Sequence, residues 1–218
     1  MISRTESKPW QSSWILFARG LPELEPNSDD APPRFECTRC GACCSHGQLI
    51  VTLTGRDIAR IAVGLGLDAR QLLRAIDFYV SSNGETLPTG LQHTPQVMTE
   101  KGRAIIALKK SESGSCVFLD NDLCLIHPIR PGACRAFPFF FSDEGGTIAW
   151  GLSAMKSICP GLGKGKRVSS KELLEAAEQI LEEIAISKEF IGEWNESPTT
   201  HNSVDFVESI LHDSRFFV

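Results

Sequence analysis

The chain has 218 residues, 42% of them hydrophobic, and a formal charge of −5 from 22 basic and 27 acidic side chains. That length fits one domain with additions, and the apolar fraction can fill a core without disulfides to compensate for small size. The negative balance argues against a nucleic-acid binder whose affinity comes from neutralising phosphates.

The opening residues MISRTESKPWQSSWILFARG hold an apolar run of only Trp14–Ala18. A secretory segment needs about 7–15 apolar residues and a membrane span about 20. The expectation is a cytoplasmic protein with no membrane association, in a compartment where thiols stay reduced. Residues 1–34 read as an extended lead-in with Trp10 and Trp14 packed on the body. FECTRCGACC follows at Phe35–Cys44 and puts four cysteines into eight residues.

QLIVTLT alternates well enough for a short strand. Thr54-Gly55-Arg56-Asp57 has the form of a helix start, a hydroxyl at the N-cap and a carboxylate three residues on. Ile58, Ile61, Ala62 and Leu65 then repeat at helical spacing. Asp68 is placed to cap a second helix with Leu72, Leu73, Ile76 and Tyr79 on its buried side. SSNGETLPTG reads as a loop. QVMT and RAIIAL flank EKG as a hairpin; CVFL and LCLIH flank Asp120-Asn121-Asp122 as a second; FPFFF and TIAWGL flank DEGG as a third. SSKELLEAAEQILEEIAISKEFIGEW is an amphipathic helix capped by Ser169 or Ser170, with Leu173, Leu174, Ala177, Ile180, Leu181 and Ile184 inward. A last short helix spans Ser203 to His212. The fold class is α+β: a small irregular metal-stabilised domain with short β-hairpins, flanking helices and a long C-terminal helix. The expected division is an extension over 1–34, a cysteine-cluster domain over 35–166, and a helical segment over 167–218 packing on it.

The eight thiols are Cys37, Cys40, Cys43, Cys44, Cys116, Cys124, Cys134 and Cys159. Two or three residues between thiols let a turn aim both sulfurs at one ion, and the thiolate is the binding form. Buried cysteines also serve as small hydrophobes. That role fits Cys116 or Cys134 singly, but not four thiols among glycine and polar neighbours. All eight are therefore candidate metal ligands. Cys37-x-x-Cys40-x-x-Cys43 reproduces the first three ligands of the bacterial ferredoxin run, and Cys159-Pro160 matches its closing Cys-Pro, which favours a [4Fe–4S] cluster. Sites of four cysteines also suit zinc, as the alternative or as a second site. With two centres, Cys44, Cys116, Cys124 and Cys134 form the remaining set. In an extended segment adjacent Cys43 and Cys44 point apart, which also favours two centres.

FECTRCGACC, VTLTGRDIARI, CVFLDNDLCLIHPIRPGACRAFPF and CPG together resemble the CxxCxxCC cysteine-cluster family, YkgJ-like proteins described as zinc- or iron-chelating. The resemblance spans about Phe35 to Gly161, with the eight cysteines in the family's order, and implies metal binding through them. One departure is His127, where the family usually carries tyrosine. The pattern is also similar to that of flagellin lysine-N-methylases, which possess a further large region that this chain is too short to include.

His46 and His127 are further candidate ligands. Arg130 and Arg135 bracket Pro131 and Cys134 and are candidates to offset thiolate charge from outside the ligand set. Phe137, Phe139, Phe140 and Phe141 read as core that also keeps water away. GLGKGK at Gly161–Lys166 reads as a flexible basic turn rather than a phosphate cradle. Cys44 near Arg39 is conceivable as a nucleophile, but no base partner stands out. Three functions follow: a cluster in a redox or metal-handling role, a zinc-stapled module that binds another protein, or side-chain modification by analogy with the methylases.

Overall fold

The computed structural model describes residues 17–18, 32–80, 94–143, 145–153, 156–198 and 202–217. Trp10, Trp14 and the SSNGETLPTG loop lie outside the described residues. Of strand β1 (Phe17–Ala18) only the backbone pairing with β3 (Leu49–Ile50) is described. Strand β2 (Arg34–Phe35) leads into the first cysteine group, whose single helical turn is α1 (Ala42–Ser45).

Helix α2 (Gly55–Leu65) starts where its cap residues place it. Thr54 accepts from the Asp57 N–H, and the Asp57 carboxylate accepts in return from the Thr54 N–H, a complete capping box. Ile58, Ile61 and Ala62 are buried, whereas Leu65 in the last turn, before the left-handed Gly66 cap, is exposed. Asp68 also forms a capping box, with Gln71, but its helix α3 (Ala69–Leu72) stops after one turn. The expected continuation through Ile76 and Tyr79 is instead strand β4 (Ile76–Val80). Ile-Asp-Phe-Tyr-Val is rich in β-branched and aromatic side chains, and β6 (Gly102–Leu108) offers β4 five antiparallel register pairs.

Strands β4, β6 and β5 (Val97–Thr99) form a three-stranded antiparallel sheet. The outer strand β5 is covered rather than left as an open edge. Asn195 accepts from the Met98 N–H and donates to the Gln96 carbonyl, while Trp194 Nε1 donates to the Met98 carbonyl. The other two expected hairpins form as β7 (Leu119–Asp120) with β8 (Leu123–Cys124), and β9 (Phe139–Asp143) with β10 (Ile148–Leu152). Asn121 and Asp122 both take positive φ, 45° and 62°, as a tight two-residue hairpin turn demands.

Among the elements that escaped the pattern are the turn α4 (Gly132–Ala136) and β11 (Leu162–Arg167), which pairs with β2 where a flexible turn was expected. Positive φ at Gly163 and Gly165 gives this strand an irregular register. Helix α5 (Ser170–Glu196) packs against α2, α4, β5, β9 and β10, and α6 (Ser203–His212) packs against α2 and α3. Leu173, Ala177 and Ile180 of α5 are buried as expected, Leu181 and Ile184 are half-buried, and Leu174 faces out. The architecture is α+β, with short antiparallel strand pairs and a long C-terminal helix.

Candidate metal centre

Short, turn-rich elements carry the cysteines, and close backbone approaches bring them together. Gly41 precedes α1 with φ 69°, and a Cβ there would stand 2.7 Å from the Asp122 carbonyl oxygen. Only glycine lets the first cysteine group lie this close against the β7–β8 hairpin tip. The Cys116 N–H donates to the Cys44 carbonyl at 2.8 Å, joining the two groups directly. Cys124 sits on β8 and Cys134 on α4. Cys159 follows β10 and returns to the start of the cluster, where Glu36 N–H donates to Gly161 O at 3.3 Å. Gly161 is so close to the Glu36 backbone that a Cβ would collide with it.

All eight thiols are free; Cys37 and Cys40 are exposed, Cys116 and Cys159 buried, and the other four half-buried. Cys43, Cys44, Cys116, Cys124 and Cys134 line one cleft, together with Val51, Leu108, Lys110, Ile126, Arg130, Pro131 and Phe137. The segment at Cys43 and Cys44 is a helical turn, not the extended chain expected, so the neighbouring thiols do not diverge. Their sulfurs are 3.9 Å apart. Two thiolates on one tetrahedral ion with metal–sulfur bonds of about 2.3 Å lie about 3.8 Å apart, so this spacing suits a shared ion and equally two thiols in contact from adjoining centres. Among the described residues, no three His, Cys, Asp or Glu side chains are gathered tightly enough to hold an ion as they stand. The donor set nevertheless fits a thiophilic metal: soft sulfur ligands, apolar walls and cations beside them.

The thiols are electrostatically unequal. Cys44 donates toward Cys124 and Cys43, and those contacts push its own thiol far up. The contacts with Cys44 hold Cys43 down to about 7 and Cys124 down to about 6. Burial pushes Cys116, Cys134 and Cys159 up, Cys134 furthest. Thiolate charge at Cys43 and Cys37 adds to the rise at Cys159, which places Cys159 with these two. Cys43 therefore stands between the cleft and the Cys37–Cys159 side.

Arg130 lines the cleft, with Nη1 donating to the His127 carbonyl at 2.8 Å and lying 3.2 Å from His127 Nδ1. Arg135 is turned toward Glu183 of α5, 2.9 Å away, and is absent from the cleft wall. His46 and His127 do not line the cleft; His46 Nδ1 and His127 Nε2 are buried without a hydrogen-bond partner among the described residues. The four phenylalanines are buried, and Phe137 forms part of the cleft wall.

Sequence reasoning missed Lys110. Its Nζ donates to the His46 carbonyl at 3.1 Å while the side chain lines the cleft; burial lowers its pKa and the thiolates push it back up. The signal was available. Ile106, Leu108 and Lys110 share one parity along β6 and its extension, so the lysine continues a buried face.

A family model described as a "Putative zinc- or iron-chelating domain", CxxCxxCC, matches residues 36–160. The chain belongs to this family. The matched stretch contains all eight cysteines, and membership of a zinc- or iron-chelating family assigns metal binding to this domain. No curated protein and no solved structure matches the chain. Among the described residues no helix is long and apolar enough to cross a membrane.

Proposed function

We propose that the protein carries two neighbouring metal centres: a [4Fe–4S] cluster on Cys37, Cys40, Cys43 and Cys159, and a zinc ion on Cys44, Cys116, Cys124 and Cys134. The observation that carries the partition is the grouping of the sulfurs. Cys44, Cys116, Cys124 and Cys134 line one cleft together with Cys43, while Cys159 lies within electrostatic reach of Cys37 and Cys43, so Cys43 stands at the boundary of the two groups and its motif spacing assigns it to the first. The run Cys37-x-x-Cys40-x-x-Cys43 has ferredoxin spacing, and a four-cysteine set with apolar walls suits a closed zinc site.

The two centres have different surroundings. Cys37 and Cys40 are exposed, so their centre is accessible to a partner protein for electron or metal exchange. A bound cluster would supply one-electron redox chemistry there. The cleft holds buried Cys116, and Lys110 and Arg130 beside its thiols offset thiolate charge. Its role is to tie α1, β8 and α4 together. This reading favours a redox or metal-handling protein over a purely structural one.

The test is purification without oxygen, followed by an absorption spectrum and analysis of iron, sulfide and zinc on one sample. The proposal expects a brown protein with about four irons and four sulfides per chain, plus one zinc. Cys40→Ser is expected to remove the colour and leave the zinc, and Cys124→Ser to remove the zinc. A colourless chain holding two zinc ions overturns the cluster and makes both centres structural.

A further inference from the structure

Beneath the thiol cleft, four charged side chains close a ring around one turn of α4. Asp57 accepts from the Gly132 N–H at 2.8 Å and from Arg60 Nη1 at 2.9 Å. Arg60 Nη2 donates to Glu183 at 2.9 Å, and Glu183 in turn accepts from Arg135 Nη2 at 2.9 and 3.0 Å. The ring enters α4 at Gly132 and leaves it at Arg135. Cys134 lies between those two anchor points. Gly132 packs directly on the ring: a Cβ there would meet Glu183 Oε2 at 3.4 Å and Arg135 Nη2 at 3.6 Å, ordinary contact distances.

Both carboxylates are withdrawn from water, Asp57 and Glu183 each at 1% exposure. Buried ion pairs are poor stabilisers, because desolvation cancels most of the attraction, and apolar replacements are often neutral or better. What such a ring supplies is geometry. Glu183 also sits among the inward residues of an otherwise amphipathic helix, where Leu, Ile or Ala is the usual occupant. It lies outside the family-matched stretch, which ends at residue 160.

We propose that Glu183 is a positioning residue for the metal centre: through Arg135 on one side and Arg60, Asp57 and the Gly132 N–H on the other, it fixes the turn that aims Cys134 into the cleft. This inference rests on the reading of Cys134 as a ligand. Helix α5 is then part of the chelating unit, and the metal site of this chain is completed by a segment that the cysteine motif does not contain. Residues that orient ligands from outside the coordination sphere typically change metal affinity by about 10–100-fold when mutated.

The experiment loads the full-length chain with cobalt(II), whose thiolate charge-transfer and ligand-field bands report the number and geometry of sulfur ligands. Release to a chelator is timed at a temperature where every variant is folded. Glu183→Gln keeps the shape of the side chain and removes its charge. Leu173→Ala, on the same buried face but outside the ring, serves as the comparator for simple loss of packing. Glu183→Gln is expected to release cobalt at least about ten-fold faster than wild type, with altered ligand-field bands, while Leu173→Ala retains both properties. If Glu183→Gln does not fold, Arg135→Lys tests the same link and must also speed release. Wild-type bands and release rate in the ring variant overturn the inference. A wild-type chain that shows no thiolate–cobalt bands overturns the ligand reading itself, and this inference with it.

Discussion

The backbone N–H of Cys116 donates to the carbonyl of Cys44 across 2.8 Å, joining two cysteine groups that are distant in sequence. With the Gly41 approach to the hairpin tip, this contact puts the Cys44 thiol within hydrogen-bonding reach of Cys124. The cleft is thus organised by backbone contacts, and the Cys44–Cys124 thiol contact follows from them.

That contact makes a chemical prediction for the metal-free chain. The Cys44 thiol stabilises the Cys124 thiolate first, with the Ile126 N–H and Arg130 adding to it, and holds its pKa at about 6. Cys116 and Cys134 are raised by burial. Iodoacetamide at pH 7 is therefore expected to label Cys124 well before Cys116 or Cys134, read by peptide mass spectrometry. In Cys44→Ala the donor is gone, the Cys124 pKa climbs, and its labelling at pH 6.5 slows. Equal labelling in the two proteins would refute a Cys44 hydrogen bond to the Cys124 thiolate.

Gly41 is the narrowest point of the site. An alanine there would adopt left-handed backbone at φ 69° and bring a methyl 2.7 Å from the Asp122 carbonyl. The conformational strain alone costs about 1–2 kcal/mol, and the collision pushes the first cysteine group off the hairpin. Gly41→Ala is expected to lower the melting temperature and to weaken metal retention. Gly66→Ala serves as the control, because it carries a similar φ of 64° with open space around it and lies away from the thiols. If the two variants retain metal equally, the contact with the hairpin is not what assembles the cleft.

Much of this architecture was written in local chemistry. Thr54 and Asp57 announced a helix start, Asp120-Asn121-Asp122 a tight turn, and the α5 stripe a packed helix, because caps, turns and amphipathic faces depend on near neighbours. The strand at Ile76–Val80 was hidden, since a cap at Asp68 predicts a start without saying where the helix ends; pairing with β6 decides that. The cysteines were legible as a set, but their grouping depends on glycine approaches between distant loops. Glu183 was illegible for the same reason: it looks like a surface residue until α5 is laid against α4, where Arg135, expected beside the thiolates, turns to it instead.

Lys110 offers a direct test of the charge balance at the thiols. Its ammonium is held by the His46 carbonyl and lies in the wall that five thiols share. Lys110→Met keeps most of the stem and removes the charge, so uncompensated thiolate repulsion rises. Chelators are expected to strip metal at least about ten-fold faster from this variant. If the centre beside it is redox-active, its reduction potential falls, because an added electron is no longer offset by the cation. Unchanged stripping rates and potential would mean that Lys110 serves only to hold the His46 loop.

The start of α5 carries a pH dependence of its own, remote from the thiols. The Glu172 carboxylate accepts from Lys166 Nζ at 2.6 Å and from the Ser169 N–H at 2.8 Å, closing the capping box. Lys166 first, and then the Ser169 donors, hold its pKa down to about 2 from the ordinary 4.5. A depressed carboxylate contributes stability that is fully present above pH 4.5 and is lost as the pH falls through about 2. The side chain is fully exposed, so water and salt weaken this contribution. The wild-type melting temperature is expected to fall more steeply between pH 4.5 and 2 than that of Glu172→Gln, which lacks the titrating group. Added salt should narrow the difference. A carboxyl resonance of Glu172 titrating near 4.5 would show that the box and the lysine contact do not persist in solution, and α5 would then begin later than Ser170.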